Sequence, residues 1–236
     1  MKRILEKFFV LSTMLLLFCA INVDAKKKTL KISVVPSDAQ ISVDGNYVGD
    51  GVVEVTLDKS DFIAIKLEKE GYLTQENKFY KSDKRNAVSY TMRPDKFWEA
   101  SVPSGLVNKF FSVSVSPDYY SIDSNGKIDP DRAWKLIHQI LLNYFDEMQT
   151  TDMSSGFIQT PWEYERFSES RQAVRTRVTV KQSGISEKEL VFQIKISSEE
   201  APLVGMSNES SYREVVRILK KFEPLISEFQ SRLSKK

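Results

Sequence analysis

The stretch Val34-Val35-Pro36-Ser37-Asp38-Ala39-Gln40-Ile41-Ser42-Val43-Asp44-Gly45-Asn46-Tyr47-Val48-Gly49 decides how the first part of this chain is read. Ile41 and Val43 alternate with Ser42, which is the period-two pattern of a half-buried strand. Asp44-Gly45 follows as a turn whose glycine tolerates positive φ. Upstream, Leu30, Ile32 and Val34 alternate with Lys31 and Ser33 in the same way. Downstream the pattern continues through Val53, Val55 and Leu57, then Phe62, Ile65 and Leu67, then Gly71-Tyr72, and ends at Val88, Tyr90 and Met92. Short strands separated by turn signals every 8 to 12 residues or so predict a small β-sandwich over residues 29–93.

These residues resemble a PEGA domain, whose pattern is a strand, Pro-x-Gly-Ala, an alternating strand, Asp-Gly, a later glycine and a closing Gly-Tyr. Pro36, Ala39, Val43, Asp44, Gly45, Gly49, Leu57 and Gly71-Tyr72 stand at fitting spacings. Asp38 replaces the glycine of the first motif, and aspartate tolerates a left-handed backbone better than most residues. The resemblance implies a surface or periplasmic β-module that mediates binding or assembly, with no catalytic residues to transfer.

The 236 residues leave room for one large or two ordinary domains. Lys plus Arg exceed Asp plus Glu by 34 − 32 = 2, so charge gives no argument for a nucleic-acid partner. The basic runs Lys26-Lys27-Lys28 and Lys235-Lys236 read as solvated tails. Residues 1–25 read as a secretory signal peptide: Lys2, Arg3 and Lys7 precede an apolar run from Phe8 to Phe18, and Val23-Asp24-Ala25 offers a cleavage site. The run is short for a membrane span, and no downstream stretch is long and apolar enough to be one. Cleavage after Ala25 leaves a mature chain without cysteine, which excludes disulfides, thiolate metal sites and cysteine nucleophiles. The alternative is a lipoprotein anchored at Cys19, against which Phe18 is the wrong preceding residue.

Arg93-Pro94-Asp95-Lys96 marks a polar boundary, giving a sandwich over 26–94 and an α+β domain over 95–236. The fold class is thus mainly β plus α+β, the second domain holding an antiparallel sheet and two helices. Phe111, Val113 and Val115 predict a strand. Asp129-Pro130 predicts a helix start, with Asp129 as N-cap and an apolar stripe from Trp134 through Met148. Three strands follow, with Ile158, Thr160, Trp162 and Tyr164 on one face, then Val174 to Val180, then Leu190 to Ile196. A hairpin centred near Ser170 sets Trp162 against Val178, Glu163 against Arg177 and Glu165 against Arg175; a second, around Gly184-Ile185-Ser186, sets Val178 against Phe192. Ser211-Tyr212-Arg213-Glu214 fits a capping box for a closing helix with Val215, Ile218, Leu219, Phe222, Leu225, Ile226, Phe229 and Leu233 on its stripe, kinked or split at Pro224. In element order this is similar to the helix-grip domains of outer-membrane assembly lipoproteins.

Residues that carry chemistry are few. Ser121–Arg132 resembles a calcium loop, with Asp123, Asn125, Gly126 and Ile128 in place, yet Ser121 and Arg132 occupy positions that need acidic ligands, and a turn plus helix cap explains the same residues. His138 borders the apolar stripe without a visible nucleophile or orienting acid. Glu163 and Glu165 share a strand face, but cross-strand arginines account for them. Trp98, Trp162, Tyr164, Tyr119 and Tyr120 are candidate glycan-stacking rings; the register places Trp162 and Tyr164 in the core and leaves Tyr119 and Tyr120 as the candidate binding residues. No catalytic set, metal site or cofactor motif is apparent. The expectation is a non-enzymatic, exported bacterial envelope protein that binds another envelope protein or, alternatively, a cell-wall or surface polysaccharide.

Overall fold

The computed structural model of the protein describes residues 28–57, 61–186 and 189–234, so the signal peptide, its cleavage point, Cys19, Lys26, Lys27 and the terminal lysines lie outside the described residues. The chain divides into two compact units, the first reaching to Glu70 and including Thr74–Met92, the second comprising Gly71–Leu73 and everything from Arg93.

The first unit is built from β1 (Lys28–Val35), β2 (Gln40–Val43), β3 (Asn46–Asp50), β4 (Val52–Leu57), β5 (Phe62–Glu68), β6 (Gln75–Tyr80) and β7 (Ala87–Thr91). One sheet has the order β4-β1-β7 and the other β3-β2-β5-β6. Alternation on β1 works as the sequence predicts, with Leu30, Ile32 and Val34 buried. On β5 the buried set is Ile63, Ile65 and Leu67; Phe62, which the sequence pattern groups with Ile65 and Leu67, is exposed because strict alternation puts it on the other face. Asp44 and Gly45 form the β2–β3 turn, with φ of 50° and 82°. The Asp44 carboxylate also accepts from the Ala64 amide at 2.8 Å, which ties the turn to β5.

Two expectations about this unit need correction. Asp38 is not in the left-handed region, where the non-glycine residues described are Asp44, Asn108 and Arg171. Its exposed carboxylate pairs with Lys69, so its tolerance has nothing to do with backbone handedness. The demanding glycine is Gly51, with φ 65° and room for a Cβ only 2.1 Å from the Ser37 carbonyl oxygen. Gly71-Tyr72 does not close the sandwich either. Gly71 lies against the Trp98 ring, Tyr72 bridges to Pro94, and Leu73 donates to Arg93, all within the second unit.

The second unit opens with the short helix α1 (Lys96–Ala100), whose N-terminus Asp95 caps by accepting from the Phe97 amide. After it come β8 (Ser101–Pro103), β9 (Phe110–Ser114), β10 (Ser121–Ile122), β11 (Ile128–Asp129) and α2 (Asp131–Leu142). There follow β12 (Thr150–Asp152), β13 (Phe157–Gln159), β14 (Glu163–Phe167), β15 (Gln172–Ser186), β16 (Glu189–Pro202), β17 (Arg213–Glu214), β18 (Arg217–Leu219) and α3 (Pro224–Leu233). A seven-stranded sheet runs β12-β13-β15-β16-β17, with β14 also on β15 and β9 also on β16. Its inner face carries Val174, Val178, Val180, Leu190, Phe192, Ile194 and Ile196, packed in one core with Ile137, Ile140 and Leu141 of α2 and Leu225, Phe229 and Leu233 of α3. This architecture is α+β, as the sequence predicts.

The C-terminal helix begins thirteen residues later than the capping box suggests, at Pro224 instead of Ser211. Arg213 and Glu214 instead pair with Glu200 and Glu199, and Arg217–Leu219 pairs with Ser101–Pro103. Pro224 takes the first helical position, where its missing N–H costs nothing. A side chain completes the sheet where β16 lacks a strand neighbour. Asn108, at φ 63°, donates through Nδ2 to the Ser198 and Val215 carbonyls and accepts from the Ser198 amide through Oδ1. The helix α2 starts one residue past the expected position, with Pro130 as N-cap and the Asp129 carboxylate accepting from the Asp131 amide.

Candidate functional site

Thr160 sets the character of the sheet's outer face. Its amide donates to the Val178 carbonyl and its Oγ1 accepts from the Val178 amide, so both bonds fall on a single residue. Pro161 comes next and has no N–H to extend the ladder. Between the pairs Ile158↔Val180 and Glu163↔Thr176, the first strand advances five residues while β15 recedes four. That extra residue is a bulge, and it turns every following side chain to the other face.

The slip overturns the expected register. Trp162 does not face Val178, and Glu163 and Glu165 lie across from Thr176 and Val174 instead of arginines. Both glutamates reach Lys221, at 3.5 Å and 2.9 Å. The second hairpin pairs Val178 with Ile196, while Phe192 faces Gln182, because β15 and β16 continue beyond the predicted turn. Trp162 and Tyr164 leave the core face, and Tyr164 is 43% exposed.

Outside the core they meet Arg175, which is 4% exposed. Its guanidinium carbon lies 4.1 Å from the Trp162 ring centre and 3.6 Å from that of Tyr212. Nε and Nη2 donate to Glu199 Oε2 at 2.9 and 2.7 Å, and Nη1 donates to Glu209 Oε1 at 2.8 Å. Burial alone would lower the Arg175 pKa; the hydrogen bonds it makes to Glu209, Glu199 and Tyr164 outweigh that and leave the group above its ordinary value. The same contact holds Glu209 below the usual glutamate value. Arg177, two residues along the strand, lies 4.2 Å from the Trp162 ring centre, and its Nε is buried without a hydrogen-bond partner.

The cluster was within reach of the sequence, since Arg175 and Arg177 alternate with Val174, Thr176 and Val178. Its partners Glu199, Glu209 and Tyr212 come from elements that periodicity did not resolve.

The other candidates separate. Tyr120 is 7% exposed and belongs to the core, and Tyr119 closes a 3-10 turn packed partly against it, so Tyr120 offers no ring to a ligand. An aromatic side chain beside a short turn recovers more by burial than by exposure. Trp98 is stacked by the Arg217 guanidinium at 3.5 Å. His138 Nδ1–H donates to the Trp134 carbonyl at 2.9 Å, and its Nε2 lies 3.4 Å from the Thr151 hydroxyl. The calcium-like segment is the β10–β11 hairpin, where the Asp123 carboxylate accepts from the Asn125 and Lys127 amides at 2.8 and 2.9 Å.

Beside that hairpin an open cleft of about 910 Å³ is lined by Asp123, Lys127, Asp129, Ser154, Ser155 and Gln182, with Ile128, Pro130 and Met153. Hydrogen bonds from Ser154 and Ser155 hold the nearby Asp152 carboxyl down to about 2. Among the described residues no group of His, Cys, Asp and Glu is arranged to hold a metal ion, and no helix is long and apolar enough to cross a membrane.

No curated protein matches the chain. The family model described as PEGA domain matches residues 27–95, a span that contains all seven strands of the first unit's two sheets.

Proposed function

We propose that this is a non-enzymatic component of a bacterial cell envelope that binds or scaffolds another envelope protein, its PEGA-like unit serving as tether or spacer. The observation that carries the reading is the PEGA domain match over residues 27–95, a module expected in exported and surface proteins. The second unit supports it with a broad sheet face whose arginines and rings are locked into fixed positions. Such pre-ordered cation–aromatic surfaces suit protein recognition, where little side-chain entropy is then lost on binding. On this reading the chain acts in the periplasm or at the envelope after its leader is removed, or is anchored through Cys19. In-cell crosslinking of the tagged full-length protein, followed by mass spectrometry, tests it. One envelope protein recovered in near-equal amount supports the reading, and recovery of none contradicts it.

A second reading, binding of cell-wall or surface polysaccharide, draws on the open cleft lined by Asp123, Lys127, Asp129, Ser154, Ser155 and Gln182. Hydroxyl, amide and charged groups of this kind hydrogen-bond sugars. Retention of the protein on insoluble wall material, lost on Lys127→Ala with Gln182→Ala, would favour it.

A further inference from the structure

The outer face of the seven-stranded sheet holds its cations in two different ways. Arg175 is matched by Glu199 and Glu209, and Lys195 lies 3.4 Å from Glu214. The side chains of Arg177 and Lys181 make no ion pair or hydrogen bond among the described residues, though Glu209 feels the Arg177 charge from beyond contact distance. Each is held by a ring: Arg177 by Trp162 at 4.2 Å and Lys181 Nζ by Phe110 at 4.2 Å. A ring positions a cation without consuming its N–H donors or cancelling its charge.

We propose that this face docks an extended acidic segment of another protein, with two carboxylates bridging Arg177 and Lys181. The inference rests on the protein-binding reading above and names the chemistry of the partner. The two cations stand four residues apart on β15, so their side chains leave the same face about 13 Å apart at ~3.3 Å per residue. Acidic residues four apart on an extended chain match that interval. Lys195 pairs with Thr179, midway between the two, but its charge is already matched by Glu214, so Arg177 and Lys181 carry the recognition. Charge complementarity selects the occupant. A neutral sugar needs an open ring, whereas Trp162, Tyr212 and Phe110 already stack with Arg175, Arg177 or Lys181.

The test uses the full-length protein and a fluorescent extended peptide carrying two glutamates four residues apart, with its glutamine counterpart as control. Anisotropy titration is expected to show binding of the glutamate peptide that weakens as salt rises. The double variant Arg177→Gln with Lys181→Gln, checked for an unchanged circular dichroism spectrum, is expected to bind about ten-fold more weakly. Lys195→Gln, already paired with Glu214, is expected to lose less. Absence of binding, equal binding of the two peptides, or equal binding by the double variant overturns the proposal. Polygalacturonate that outcompetes the peptide and is lost in the same variant overturns it in favour of an anionic polysaccharide. If the double variant still crosslinks the cellular partner at wild-type yield, the site is wrong while the protein-binding reading stands. If the wild-type chain captures no protein, that reading itself fails.

Discussion

Replacing Arg175 with methionine removes one cation shared by two glutamates and two rings while keeping a long side chain in its place. Removing one member of a buried ion pair costs about 3–5 kcal/mol, because the surviving charge is left uncompensated. Here only part of that penalty applies. The Glu209 side chain is 77% exposed and rehydrates freely, whereas that of Glu199 is 20% exposed and is stranded. Two lost ring contacts add about 0.5–1 kcal/mol each, and methionine sulfur against the same rings returns a comparable amount. The net expectation is about 3 kcal/mol, at the lower end of the range for a broken buried pair. At roughly 2–4 °C per kcal/mol for a chain of this size, the second unit should melt ~6–12 °C lower. All three tryptophans, Trp98, Trp134 and Trp162, lie in the second unit, so tryptophan emission in a urea titration reports its stability separately. Adding Glu199→Gln to Arg175→Met should restore at least half of the loss, since the stranded charge is then gone. A loss below about 1 kcal/mol, the range of an exposed pair, or no recovery in the double variant would refute the reasoning.

Four further outcomes follow from other parts of the molecule. Gly51→Ala should destabilise the first unit by more than about 3 kcal/mol, from a left-handed backbone and a clash with the Ser37 carbonyl, whereas Gly45→Ala, in open space, should cost only about 1–2 kcal/mol; denaturant titration followed by far-UV dichroism compares them. Asn108→Ala removes three hydrogen bonds and leaves Ser198 and Val215 backbone groups unpaired, so the second unit should lose about 2–4 kcal/mol in the tryptophan-monitored melt. Asp152 should titrate near 2 in carboxyl NMR, because Ser154 and Ser155 hydroxyls favour its charged form. Its folded pKa is depressed, so its contribution is present above the unfolded value of 3.8 and lost as pH falls through about 2; a midpoint at the ordinary value would contradict the geometry. Tyr144, raised to about 12 by burial and by its bond to Glu228, behaves oppositely: its contribution is complete below pH 10 and lost as pH rises through 12, which phenolate absorbance follows.

What was legible in the sequence was what period and turn chemistry control. The β1 alternation, the Asp44-Gly45 turn and the inward sets on β15 and β16 stand as read, because each depends on neighbours close in sequence or on one buried face. The arginines of the outer-face cluster were legible, but its rings on the neighbouring strand were not, because of one side chain. Thr160 uses its hydroxyl as a ladder acceptor, and the bulge beside Pro161 then exposes Trp162 and Tyr164, an event invisible to alternation. The C-terminal stripe misled for a different reason. Val215, Ile218, Leu219 and Phe222 fit helical spacing, yet the backbone there finds partners in Asn108, Ser198 and Ser101–Pro103. Tertiary hydrogen bonding outweighs a local helical preference worth only tenths of a kcal/mol per residue.

The most direct test of the central claim is photocrosslinking in cells from a benzoylphenylalanine placed at Gln193, which lies beside Lys181 in the register of the outer sheet face. The account predicts one discrete protein adduct, identified by mass spectrometry and weakened by Arg177→Gln with Lys181→Gln. Adducts only with wall or capsule polysaccharide, or none at all, would contradict it.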